Sequence, residues 1–143
     1  MANKPRFATA DEAEAVFYGS IEAGDLEMLM QVWADDDGIL CIHPGGERLA
    51  GRSAIRESWR SILANGRGMR FVLTDEQATG EEGLAVHAVK ESITLANDSQ
   101  GVMLATNVYR RVGDSWRLIM HHASPEPARR EADAPPPARG TLH

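Results

Sequence analysis

Four polar side chains interrupt stretches that are otherwise apolar: His87, Glu91, Asn107 and His122. A fifth, His43, closes a short apolar run just before Pro44. A buried polar group left unpaired costs about 1–3 kcal/mol, so each of these must meet another polar side chain or a ligand. Burial pushes a carboxyl such as that of Glu91 towards neutrality, where it can both give and take a proton. The chemistry this predicts is acid–base work on a small molecule. His43, Asn107 and His122 would be the polar contacts and Glu91 the candidate base. Trp33 and Trp59, with Tyr109 and Met120, would wall an apolar pocket carrying a few polar points, the usual make-up of a small-molecule site. Plain structural roles compete: Trp33 and Trp59 as core, Glu91 as an exposed strand residue, Asn107 as a backbone partner, His122 as a core histidine, and His43 as a cap on the Pro44-Gly45-Gly46 turn.

Other chemistries find no support. His121 and His122 are neighbours on a strand and point to opposite faces, so they cannot readily chelate one ion together. There is no HExxH and no Cys/His pair at ligand spacing, and no metal site is expected. Cys41, between Leu40 and Ile42, reads as a small buried hydrophobe. No GxSxG elbow, GxGxxG or Walker loop is present, and no cofactor is expected.

The elements that must position these residues follow from caps and turns. Thr9-Ala10-Asp11-Glu12 is a capping box opening a helix whose apolar face is Ala13, Val16, Phe17 and Ile21. Gly24 ends it, and Asp25 caps a second helix carrying Leu26, Leu29, Met30 and Trp33. A strand over 39–43 and a returning arm over 47–50 flank Pro44-Gly45-Gly46. Ser53 is expected to N-cap a third helix with Ile55, Trp59, Ile62 and Leu63 inward, ending at Asn65-Gly66. Four long strands follow, at 69–79, 84–96, 102–112 and 116–123, joined by turn-forming segments and so forming an antiparallel meander.

The fold class is therefore α+β, a curved antiparallel sheet packed on three helices. Residues 1–8 form an arm and 9–125 the domain. The stretch 126–143 continues a proline-rich, apolar-poor run from Pro125 that is expected to be disordered. The strands carry apolar residues on both faces, as with Met103, Ala105, Asn107 and Tyr109 against Val102, Leu104, Thr106 and Val108. Helices cover one face, and a second copy of the chain is the simplest cover for the other, which predicts a homodimer. Strict alternation in the last strand places Trp116, Leu118, Met120 and His122 together, with His121 opposite; His87 and His121 stay in reserve because periodicity does not say which face is concave.

Bulk properties fit a single domain. The chain has 143 residues, 43% of them hydrophobic, enough to bury a core without disulfides. Cys41 is the sole cysteine, consistent with a reducing compartment. A net charge of −6 and scattered arginines argue against nucleic acid as a partner. No run approaches the roughly 18 apolar residues of a membrane span, and the charged start lacks a secretory h-region, so a cytoplasmic location is expected.

Three segments carry a family resemblance: the helical hairpin ending in Trp33-Ala34-Asp35-Asp36-Asp37; Leu49-Ala50-Gly51-Arg52-Ser53-Ala54-Ile55 with Trp59; and the closing stretch from Trp116 through His121-His122-Ala123-Ser124-Pro125. Together, over about residues 9–125, they resemble the SnoaL-like branch of the nuclear transport factor two-like superfamily. The resemblance implies a cystatin-like α+β cone, usually dimeric, with a pocket between sheet and helices. That superfamily hosts ketosteroid isomerase, scytalone dehydratase, limonene epoxide hydrolase, polyketide cyclases and non-catalytic binding modules. Ala105–Tyr109 and Trp116–Ser124 are also similar to the association domain of calcium/calmodulin-dependent kinase. By that likeness Asn107 faces the cavity where the association domain has an arginine, and His122 matches its closing histidine. The Asp–Tyr pair of ketosteroid isomerase and the Asp-Arg-Asp set of the epoxide hydrolase have no counterparts here. The expected function is a small-molecule pocket of isomerase or lyase type; the alternatives are a non-catalytic ligand-binding or assembly module, or a dimeric domain whose cone is filled by Trp33, Trp59, Phe71 and Met120.

Overall fold

A computed structural model of the protein describes residues 4–128. Three helices, α1 (Ala10–Ala23), α2 (Leu26–Val32) and α3 (Arg52–Asn65), pack on one six-stranded sheet. Its strands are β1 (Leu40–Ile42), β2 (Arg48–Ala50), β3 (Arg70–Glu81), β4 (Leu84–Thr94), β5 (Gln100–Val112) and β6 (Ser115–Pro125), in the order β2-β1-β6-β5-β4-β3. No helix among the described residues is long and apolar enough to cross a membrane. The expected proline-rich tail falls largely on 129–143, outside the described residues.

Local chemistry sets the helix ends. The Thr9 side chain accepts from Glu12 N at 3.1 Å, while Glu12 Oε2 accepts from Ala8 N at 2.6 Å, closing the capping box one residue early. Gly24 ends α1 at φ 68°, and Asp25 Oδ1 accepts from Met28 N at 3.0 Å to start α2. For α3 the expectation is corrected. The helix begins at Arg52 with Gly51 as N-cap at φ 88°, a backbone conformation only glycine adopts cheaply, and Ser53 caps nothing. Arg52 has a different task. Its guanidinium donates to the carbonyls of Met30 (3.1 Å), Trp33 (3.3 Å) and Ala34 (3.0 Å), satisfying the open C-terminal end of α2.

The sheet also departs from a pure meander. β3 to β6 are antiparallel, but β1 pairs parallel with β6, Cys41 opposite His121, so the sheet is mixed. The short β1 and β2 could not reveal that pairing by their own pattern. Two irregularities matter for the site. β3 bulges between Thr74 and Gln77, with Asp75 at φ 51°; β6 shifts register so that Asn107 faces His121 while Tyr109 faces Leu118. The second shift inverts the alternation read from the sequence. His121 and Ala123 join Leu118 on the concave face, and His122 is exposed on the convex one, beside Thr106.

The core lies between that concave face and the helices. Phe17 is fully buried at its centre, with its ring edge-on to Tyr18 (4.9 Å), His121 (5.0 Å), Trp59 (5.7 Å) and Trp33 (6.4 Å). The segment before α1 joins in. Phe7 is buried, accepts from Trp116 N at 2.9 Å and lies under the Arg117 guanidinium.

Candidate functional site

The buried side chains of Glu14, His87, Glu91, Asn107 and His121, with Tyr18 and Tyr109, form one connected network through the cone, while Ser20, Ser115 and Arg117 bond to backbone outside it. Cross-strand register aligns His87, Asn107 and His121 on neighbouring strands, and α1 lowers Glu14 and Tyr18, one helical turn apart, onto them. The Tyr18 hydroxyl donates to Glu91 Oε2 at 2.6 Å and accepts from Asn107 Nδ2 at 2.9 Å. Asn107 Oδ1 accepts from His121 Nδ1 at 2.6 Å. Glu14 Oε2 takes donors from His87 Nδ1 (2.9 Å), the Tyr109 hydroxyl (2.9 Å) and Asn107 Nδ2 (3.3 Å). Asn107 is wholly buried and joins the two ends of the network, which answers why a polar residue sits there.

One end of the network opens into a pocket of about 350 Å³ between α1, α3 and the sheet. Its walls are apolar, with Ile21, Trp59, Ile62, Phe71, Ile93 and Met103 prominent, and three titratable groups reach it: His43, Glu91 and His121. This is the composition of a small-molecule site. A depression of about 450 Å³ between the ends of α1 and α3 is larger, but Glu22, Arg60 and Arg67 in its lining are all exposed. The chemistry belongs to the first.

Burial raises the Glu91 carboxyl to about 7; the Tyr18 hydrogen bond opposes the rise and the charge of Glu14 adds to it. Among the described residues nothing donates to Glu91 Oε1, the oxygen left for a ligand. Burial drives His121 down to about 3, and lowers His43 as well. Both rings are therefore neutral at pH 7. His121 gives its Nδ1 proton to Asn107, leaving a bare Nε2. Ser58 commits its proton to Ile55 O, so His43 Nε2, 3.0 Å from Ser58 Oγ, is the donor and Nδ1 is bare. The pocket thus presents two lone-pair acceptors and one carboxyl poised near neutrality. Cys41 is no nucleophile, since burial pushes its thiol up to about 12.

At the other end of the network, burial pushes the Glu14 carboxyl up, but hydrogen bonds from Glu76, His87 and Tyr109 outweigh it and hold it below its ordinary value. Its hydrogen-bonded neighbour Glu76 is raised to about 7.

Of the residues singled out from sequence, His43, Glu91 and Trp59 line the pocket. Asn107 and Tyr109 lie behind it within the network, and Trp33 is packed in the core. His122 and Met120 are placed elsewhere by the β6 shift: His122 lines a shallow depression on the convex side with Lys90 and Thr106, and Met120 pairs with Val108 outside the pocket. His121 occupies the position assigned to His122. Sequence patterning does not single out Tyr18 and Glu14; their place with Phe17 and Ile21 on one helical stripe is the available signal.

Residues 11–128 match the SnoaL-like domain. Among solved structures, the chain superposes with a TM-score of 0.81 on a candidate calcium/calmodulin-dependent protein kinase type II association domain from Thiobacillus denitrificans, 38% identical, over 86% of this chain and 99% of that one. A candidate dehydratase of the NTF2-like family from Streptomyces avermitilis is 36% identical with a TM-score of 0.76, over 81% of this chain and 92% of that one. Among curated proteins, F-box protein SKIP8 of Arabidopsis thaliana is 25% identical over 108 residues, 76% of this chain. The chain spans about half the length of that relative, 46%.

Proposed function

The chain belongs to the SnoaL-like domain family, and from that footing we propose that it binds a small hydrophobic carbonyl compound in the pocket and moves a proton on it, as an isomerase or dehydratase does. Glu91 carries this reading: a carboxyl only 3% exposed, at the wall of an apolar pocket, raised to about 7 and with one oxygen unengaged. Ionised Glu91 takes a proton from the carbon beside a carbonyl, and the C–H electron pair moves into the enolate. In a β,γ-unsaturated substrate the enolate is conjugated and the carboxyl returns the proton to the γ carbon as the double bond shifts, completing an isomerisation; in a β-hydroxy substrate the enolate expels the hydroxyl, which takes the proton and leaves as water. Tyr18 orients the carboxyl, and the bare nitrogens of His121 and His43 accept from a substrate hydroxyl. The 36% identity to a candidate dehydratase supports this class.

A panel of apolar ketones and β-hydroxy carbonyl compounds, incubated with the protein in D2O and followed by mass spectrometry, tests it. At least one should bind and take up deuterium with the wild type and not with Glu91→Gln. Binding without exchange would instead support a ligand-binding module.

The second reading, an assembly module, rests on the 38% identity to a candidate kinase association domain and on the convex face. That face exposes Val72 (62%), Leu104 (38%) and Leu84 (37%), apolar surface that a second copy would cover. A solution mass of 15.6 kDa rather than twice that would exclude the homodimer.

A further inference from the structure

We propose that Asp11, Glu76 and His87 bind a divalent first-row transition-metal ion, at a site sharing no residue with the pocket lining. Three elements converge there: the first turn of α1 brings Asp11, the β3 bulge brings Glu76, and the middle of β4 brings His87. One ligand atom from each lies within 4.8 Å of the other two. Two donors held at roughly 2.0–2.2 Å from one ion stand about 3–4.3 Å apart. His87 Nε2 and Asp11 Oδ1 are 3.7 Å apart. Glu76 Oε2 is 3.8 Å from the other ring nitrogen, and its exposed side chain, now hydrogen-bonded to Glu14, would exchange that bond for an ion at Nε2.

The His87 ring is held as a metal-ligating histidine is held. Its Nδ1 donates to the buried carboxylate of Glu14, which Tyr109 and Asn107 hold in turn. That carboxylate–histidine arrangement fixes the tautomer and presents the Nε2 lone pair outward. The His87 side chain is 4% exposed, yet among the described residues Nε2 makes no hydrogen bond. The carboxyls of Asp11, Glu14 and Glu76 gather around a single imidazole, and among the described residues no Lys or Arg forms an ion pair with any of them. Asp11, 82% exposed, leaves the site open to solvent for entry and for water ligands. One imidazole with carboxylate oxygens suits Zn²⁺, Mn²⁺ or Co²⁺ better than Mg²⁺ or Ca²⁺.

The test is calorimetric titration of the full chain with ZnCl₂, alongside ¹⁵N NMR of the histidine rings. One Zn²⁺ per chain should bind, moving the His87 Nε2 resonance while His43 and His121 stay in place. Asp11→Asn and Glu76→Gln, both at exposed positions that tolerate substitution, should each weaken binding by roughly tenfold or more. No saturable binding up to millimolar Zn²⁺ would overturn the proposal. So would binding that both variants leave unchanged, because the ion would then sit elsewhere.

Discussion

Replacing Glu91 by Gln should make the protein more stable, and only above a definite pH. Glu91 titrates at about 7 when folded and at the ordinary 4.5 when unfolded. A raised folded value means that the unfolded chain loses its proton first. The stability Glu91 contributes is therefore complete below pH 4.5, falls as pH rises, and is gone once pH passes 7. At about 1.4 kcal/mol per pH unit, that gap corresponds to about 3 kcal/mol. Glutamine keeps the shape and an acceptor for the Tyr18 hydroxyl but carries no titrating proton. Urea unfolding of both proteins from pH 4.5 to 8.5 checks this. The two curves should coincide at the acid end and separate steadily, with Glu91→Gln ahead by about 3 kcal/mol at pH 8. A constant offset across the whole range would mean that Glu91 titrates like a surface carboxyl, and the proton-carrier argument would fail. Curves that separate would also show what such a carboxyl costs: it lowers stability at the pH where it is useful.

Arg52→Ala should cost about 1–3 kcal/mol in urea unfolding, because the carbonyls at the end of α2 lose their donor, whereas Ser53→Ala should lie within about 0.5 kcal/mol of wild type. Phe17→Ala, at the point where four aromatic rings meet, should cost about 3–5 kcal/mol by the same assay. Cys41 should resist a thiol reagent at pH 8 in the native protein and react at once in denaturant; fast native labelling would contradict its burial and raised thiol. His121→Ala should abolish binding of any pocket ligand while His122→Ala leaves it unchanged, read by ligand titration; the reverse would restore the alternation read from sequence.

Most of the architecture was legible because local signals agreed with one another. Thr9, Gly24 and Asp25 mark helix ends through hydrogen bonds made within a few residues, and the turn-forming segments at 80–83, 97–101 and 113–115 locate the three strand links, which are narrowed to 82–83, 95–99 and 113–114 because the strands run on into them. What escaped depends on contacts distant in sequence. The parallel pairing of β1 with β6 joins residues some eighty positions apart and leaves no periodic trace in three residues of strand. The extra residue near Met120 flips the phase of β6, so the right strand yielded the wrong histidine. Glu91 and Asn107 could be picked out because a polar residue on an apolar strand face is conspicuous. Tyr18 and Glu14 were hidden because the buried stripe of α1 mixes polar and apolar positions, Glu14, Tyr18 and Ser20 among Ala13, Phe17 and Ile21. The His87 cluster needed a bulge to bring Glu76 round, and no spacing in the sequence announces that.

The most direct test of the account is a high-resolution crystal structure grown with the tightest-binding carbonyl compound from the D2O panel. Density should fill the pocket walled by Trp59, Phe71 and Met103, with a polar ligand atom within hydrogen-bonding distance of Glu91 Oε1. A pocket closed by its own side chains, or a ligand bound away from Glu91, would contradict it.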